Sequence, residues 1–233
     1  ILTINGITCF GANDGEIELT TGLGTQPYNY ILDGGLPVGY ANDVIISNLS
    51  PGFHTIDVFD ANGCEWDQNG ESVSITEPTA LLEIGTIVLN DVTCNGDNDG
   101  VATVTITGGN APYTYQWVNI LTGANVGSPT IDSPSLTNTL TTGVGTYACN
   151  ITDANGCPLV TSQVSIDEPE ELQEVGTIIL NDVTCNGLFD GVATVTITGG
   201  TGPYTYQWVN FLTNINVGSP TIDSPSLTNT LTT

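Results

Sequence analysis

Residues 84–142 of this chain recur without a gap as residues 175–233, and only about nine of roughly 59 positions differ. Copies of one segment must fold on one plan, so this self-similarity constrains the fold more than any other feature. The run V-T-C-N-G at 92–96 returns at 183–187, and P-Y-T-Y-Q-W-V-N at 112–119 returns at 203–210. Between them, D-G-V-A-T-V-T-I-T-G-G at 99–109 returns at 190–200. A more divergent first copy keeps the frame. Thr8-Cys9 matches Thr93-Cys94, Asp14-Gly15 matches Asp99-Gly100, and Pro27-Tyr28 matches Pro112-Tyr113. The run D-A-N-G-C at 60–64 matches 153–157, and the copies close on Thr76-Glu77-Pro78 and Asp167-Glu168-Pro169. A period of about 85 to 91 residues suits a whole β-sandwich rather than a solenoid turn. The expected domains are repeat one at 1–78, repeat two at 79–169 and repeat three at 170–233. The chain opens at Ile1 in a strand pattern and stops at Thr233 partway through a repeat, so both ends read as cuts.

Within a copy the apolar period is two. Ala102, Val104 and Ile106 share one strand face, and Val101, Thr103, Thr105 and Thr107 share the other. Tyr113, Tyr115 and Trp117 alternate with Thr114, Gln116 and Val118, and Tyr147, Cys149 and Ile151 alternate with Ala148, Asn150 and Thr152. Turn signals at Gly108-Gly109, Asp99-Gly100 and 153–156 separate these runs. The pattern predicts about six or seven short strands per copy and no helix. The fold class is all-β: tandem immunoglobulin-like sandwiches whose short junctions, fixed by Pro78 and Pro169, predict an elongated rod.

Charge narrows the partners. The chain has 25 Asp and Glu, no Lys or Arg, and a formal net charge of −25. Only salt or bound cations can screen that charge. Nothing here neutralises phosphate, so nucleic acid and anionic membrane surfaces are poor partners. No apolar run is long enough to insert in a membrane as a helix.

Four motifs then fall in order: T-C-x-G-x-x-D-G, G-G-x-x-P-Y-x-Y-x-W, G-x-Y-x-x-x-x-x-D-A-N-G-C and I-T-E-P. Together they resemble the SprB-type repeat of very large cell-surface adhesins of gliding Bacteroidetes. The resemblance covers both full copies and all that is present of the third. It implies an extracellular, cell-surface position attached at the outer membrane, and a role in adhesion during gliding. The first copy departs from it at Leu32, where Trp117 and Trp208 stand, and at His54, where Tyr147 stands.

In an exported protein a recurring cysteine pair reads as a disulfide. The expected bridges are Cys9–Cys64 and Cys94–Cys157, each closing a loop of about 55 to 65 residues and stabilising its repeat by roughly 4 kcal/mol. Cys149, opposite Ile56, and Cys185 are left unpaired in the fragment. The rival readings are free buried thiols, or an immunoglobulin-like pin from Cys94 to Cys149.

No metal is assigned, although Ca²⁺ has weak candidates. Asp97 and Asp99 share a turn of the kind hard cations use, but repeat three has Leu188 and Phe189 where Asp97 and Asn98 stand. Glu168 and Glu170 belong to an acidic run at a junction, where a solvated charge run is the commoner outcome. The row Tyr113, Tyr115 and Trp117 reads as core packing, with a sugar-stacking platform as its rival. No nucleophile–base pair, HExxH site, P-loop or Schiff-base lysine is present, so catalytic residues are none and an enzyme is not expected. The leading expectation is a structural and adhesive segment of a long surface filament. Surface polysaccharide or substratum would be met by regions outside this fragment, alongside the motility and secretion machinery of the cell envelope. The alternatives are a polysaccharide-binding module and a non-catalytic appendage of a secreted hydrolase.

Overall fold

The computed structural model describes residues 2–20, 22–66, 71–132, 134–223 and 226–232. The two residues read as cut ends, Ile1 and Thr233, lie outside the described residues. No helix occurs among the described residues, and all strand pairings within repeats one and three are antiparallel.

Repeat one contributes β1 (Leu2–Asn5), β2 (Gly15–Leu19), β3 (Tyr28–Leu32), β4 (Val38–Tyr40), β5 (Val44–Leu49), β6 (Gly52–Phe59) and β7 (Glu71–Ile75). They form two sheets, in the orders β1-β2-β5 and β4-β3-β6-β7. Ile17, Leu19, Ile46 and Leu49 from the first sheet meet Ile56, Val73 and Ile75 from the second in one buried cluster, so the sheets face each other as a sandwich. Leu32, in the slot that holds Trp in the other copies, packs against that cluster.

Repeat two contributes β8 (Leu82–Asn90), β9 (Gly100–Thr107), β10 (Tyr113–Asn119), β11 (Asn125–Asp132), β12 (Thr137–Thr142), β13 (Gly145–Thr152), β14 (Pro158–Val160) and β15 (Val164–Ile166). One sheet runs β12-β9-β8; the other runs β11-β10-β13-β14, with β15 also on β13. The alternation read from the sequence is the one observed, since Ala102, Val104 and Ile106 are each 0% exposed. Tyr113, Tyr115 and Trp117 are buried as well. Each finds a partner for its polar atom, as a buried aromatic requires. The Tyr113 hydroxyl donates to Gly108 O at 2.8 Å, Tyr115 to Ser135 O at 3.1 Å, and Trp117 Nε1 to Asn138 Oδ1 at 2.8 Å.

Repeat three contributes β16 (Gln173–Asn181), β17 (Val192–Thr198), β18 (Tyr204–Asn210), β19 (Ile215–Asp223) and β20 (Thr228–Thr232), in sheets β16-β17-β20 and β18-β19. Among the described residues no strand follows β20, and β17 is half-buried where β9 is fully buried on its inner face.

The chain packs as two compact units, whose boundary falls inside β8, β9, β12 and β13. Unit 1 comprises Ile1–Thr86, Val104–Asn138 and Ala148–Ser162, and so contains the whole sandwich of repeat one with β10, β11 and β14. Unit 2 comprises Ile87–Thr103, Thr139–Tyr147 and Gln163–Thr233, which includes all of repeat three.

The Gly108-Gly109 turn shows why both residues are glycine. Their φ angles are +72° and +64°, and a Cβ on Gly108 would lie 1.9 Å from Ala80 O. Gly108→Ala should therefore cost about 2 kcal/mol or more in denaturant unfolding, combining left-handed strain with displacement of the backbone at Ala80. Gly123, at φ +69° with nothing within 4 Å, is the control. Gly123→Ala should cost only the strain, about 1 kcal/mol. Equal costs at both positions would show that the close approach carries no energy.

Candidate functional site

The site is a junction, and two turns build it. In the first, the backbone N–H of Thr8 donates to Asp14 Oδ1 at 3.1 Å, and the Thr8 hydroxyl donates to Asp14 Oδ2. Ala12 N donates to Cys9 O at 3.0 Å, which closes the turn around the cysteine. Thr93 with Asp99 and Thr184 with Asp190 repeat these bonds. The threonine bonds hold all three carboxyls below the usual aspartate range. The aspartate of the D-G pair thus has its oxygens committed to shaping the T-C turn.

The second turn is D-A-N-G-C. Asp153 Oδ1 accepts from the N–H of Asn155 and of Cys157, both at 2.9 Å, and Oδ2 accepts from Asn110 N at 3.0 Å. Asp60 does the same for Asn62, Cys64 and Thr25. Its carboxyl is lowered, first by the Cys64 N–H. This is an aspartate folding its own turn, which is why Asp and Asn favour such positions.

The two turns meet across the junction of repeats one and two. Cys9 is bonded to Cys157, with 5.6 Å between their Cα atoms and a sequence separation of 148. Asn155 Nδ2 donates to Thr8 O at 2.8 Å beside the bridge. The connecting chain is tied to both repeats. Ile7 N donates to Thr76 O at 2.8 Å, Gly11 N to Glu77 Oε2 at 3.1 Å, and Gly109 N to Thr79 O at 3.0 Å.

This corrects the expected pairing. Neither Cys9–Cys64 nor Cys94–Cys157 forms; Cys64, Cys94 and Cys185 are exposed thiols and Cys149 is a buried one. The reason is position. The Cys9 turn precedes β2 and adjoins Thr76 and Glu77, whereas Cys64 lines a cleft with Leu19 and Thr20 at the other end of β2. A disulfide cannot span a strand, because its Cα atoms must lie within about 7 Å. The Cys94–Cys149 pin does not form either. Cys149 is 0% exposed, and burial pushes its thiol up to about 12, so it serves as a small apolar core residue.

Of the four cation candidates, Asp99 and Glu168 have carboxylate oxygens in hydrogen bonds, while the bonds of Asp97 and Glu170 are made by their backbone. Asp99 holds the T-C turn as described, and the Asp97 N–H donates to Cys94 O at 3.0 Å. Glu168 Oε2 accepts from Gly96 N at 2.8 Å, and the backbone carbonyl of Glu170 accepts from Gly200 N at 2.7 Å. No cluster of three or more His, Cys, Asp or Glu side chains suited to a metal occurs among the described residues.

His54 has a role that sequence matching alone did not reveal. Its Nε2 lies 2.9 Å from Ser50 O and its Nδ1 lies 2.7 Å from Asp33 Oδ2. Tyr147, its counterpart, donates to Gly143 O at 3.0 Å, so both side chains cap the carbonyl four residues earlier. Both ring nitrogens face acceptors, which favours the doubly protonated ring. The Ser50 carbonyl and the Asp33 carboxylate raise the His54 pKa, and the His54 bond lowers that of Asp33. The histidine contribution is whole below its ordinary value of 6.5 and is lost as pH climbs from there through the folded value. The aspartate contribution is whole above 3.8 and is lost as pH falls through its own lowered value. The melting temperature of repeat one should therefore fall between pH 6 and pH 9, and His54→Phe should abolish that slope. An unchanged slope in the variant would remove His54 as its source.

Fold and junction together define a class: tandem all-β repeats joined by a built, covalently bridged junction. The SprB repeat family matches the chain at residues 2–37, 86–122 and 177–213. The chain carries a SprB-type repeat three times. No curated protein matches it. Among solved structures, a tetra-tandem repeat in the extending region of a large adhesion protein is similar at 14% identity and TM-score 0.31. That match covers 99% of this chain and 65% of the other. The amphioxus IgVJ-C2 molecule is similar at 15% identity and TM-score 0.25, covering 66% of this chain and 96% of that one.

Proposed function

We propose that the chain is a tension-carrying segment of a long adhesive filament on the cell surface, of the kind that gliding cells use. The observation that carries this reading is the Cys9–Cys157 bridge, which ties one repeat to the next by a second covalent link beside the backbone. The segment is non-enzymatic and extracellular, where disulfides persist. Attachment at the outer membrane, the motility and secretion machinery, and contact with polysaccharide or substratum belong to regions outside these 233 residues. Sugar recognition by the repeats themselves finds no support in the aromatic row, since Tyr113, Tyr115 and Trp117 are 5%, 1% and 4% exposed.

Electron microscopy of a multi-repeat fragment tests the reading. It should show a thin beaded rod with beads about 35–45 Å long, the span of roughly ten to thirteen strand residues. Glycan arrays probed with the same fragment should stay blank. A compact globule, or selective binding of a polysaccharide, would replace the spacer reading with that of a binding module.

A further inference from the structure

We infer that the bridge is one instance of a rule: the T-C cysteine of each repeat bonds the D-A-N-G-C cysteine of the repeat that follows it. Cys64 and Cys94 are then halves of inter-repeat bridges. The Cys64 end of repeat one is a docking site for the T-C turn of another SprB-type repeat.

The first support is that the junction is built twice. Where Gly11 N donates to Glu77 and Gly109 N to Thr79 O, Gly96 N donates to Glu168 and Gly200 N to Glu170 O. A Cβ on Gly199 would lie 2.0 Å from Glu171 O, matching the approach of Ala80 O to Gly108. The connecting chain between repeats two and three is therefore tied to the Cys94 turn and to a Gly-Gly turn of repeat three. In repeat two that Gly-Gly turn is followed by Asn110, which holds the D-A-N-G-C turn through Asp153 and Ala154. Thr201 stands at the corresponding place in repeat three. A D-A-N-G-C turn completing repeat three is thus placed beside Cys94, as Cys157 is beside Cys9.

The second support lies at repeat one. Its D-A-N-G-C turn is folded with the same internal bonds, yet the Cys64 thiol is exposed. It opens on a cleft of about 410 Å³ whose lining includes Leu23, Tyr28, Phe59 and Trp66. Leu23 and Trp66 are 106% and 51% exposed, an apolar surface at the end of the repeat where repeat two receives its neighbour's turn. Asn62, the counterpart of Asn155, donates to Thr25 Oγ1 at 2.9 Å, where Asn155 grips the incoming carbonyl of Thr8.

Each closure takes two thiols to one disulfide, with two protons and two electrons passing to a small disulfide oxidant that leaves as two thiols. The rule has a mechanical consequence. The loop closed by Cys9 and Cys157 encloses Cys94, so successive loops overlap. The covalent path from one such loop to the next, Cys157 to Cys185, is about 28 residues, or roughly 95 Å at full extension. An array bridged in this way extends no further for each pair of repeats, even with every strand unfolded.

The test completes repeat three. Residues 143–169 are appended after Thr233, the chain is folded in a glutathione redox buffer, free thiols are alkylated, and bridged peptides are mapped without reduction. The rule expects the appended copy of Cys157 to be joined to Cys94, with Cys185 alkylated. A bond from that copy to Cys185, or alkylation of both the copy and Cys94, overturns it. A second variant does not depend on the extension folding: Cys64→Ser in the 233-residue chain replaces an exposed side chain. It should leave the Cys9–Cys157 bridge and the melting temperature unchanged. A new partner for Cys9, or a marked fall in melting temperature, would mean that Cys64 has its partner inside the chain and the rule is wrong.

Discussion

Pulled by its two ends, the oxidised chain should release about 500 Å less contour than the same chain in reductant. The loop closed by Cys9 and Cys157, a sequence separation of 148, carries no tension, and each extended residue spans about 3.3–3.6 Å. Force reaches Cys9, crosses the bridge and continues from Cys157. Repeat two and most of repeat one should therefore stay folded at forces that unravel repeat three. Optical tweezers on a single molecule, with reductant added midway, should record one gain of that size. Bridges confined within repeats would instead give two gains of roughly 200 Å each, from loops of about 55 and 63 residues.

The second large effect is thermodynamic. Closing a 148-residue loop restricts the unfolded chain by about 5 kcal/mol in the chain-entropy description. Cys157→Ser should lower the melting temperature of the bridged unit by about 10–20 °C, at about 2–4 °C per kcal/mol for a domain of this size. In reductant the parent and the variant should melt together, because the difference lies in the unfolded state. A fall of the same size that persists in reductant would mean that Cys157 stabilises by packing and not by its bridge.

Much of the fold was legible because the period-two code is local. Ala102, Val104 and Ile106 read as one inner face and are buried as one. The Tyr113, Tyr115 and Trp117 row read as core, and Leu32 in the matching slot pointed the same way. The site was less legible for a physical reason. Letter-for-letter recurrence of D-A-N-G-C reports a position within a repeat, whereas a disulfide needs proximity in space. The signal was available in strand order: Cys9 precedes β2 while Cys64 follows β6, at the opposite end of the sandwich. Asp99 read as part of a turn, but the partners of Asp14, Asp99 and Asp190, threonines six residues earlier, are set by loop geometry that composition does not encode. His54 lacked any sequence rationale because its partner, Asp33, has a role only in the divergent first copy.

Neighbouring repeats are joined covalently, and non-reducing peptide mapping of the purified chain can decide this. Cleavage must fall at Asp, Glu or aromatic residues, since the chain has no Lys or Arg. The expected result is one bridged species, joining the peptide with Cys9 to the peptide with Cys157, and alkylated Cys64, Cys94, Cys149 and Cys185. A peptide joining Cys9 to Cys64, with Cys157 bonded to Cys94, would contradict it.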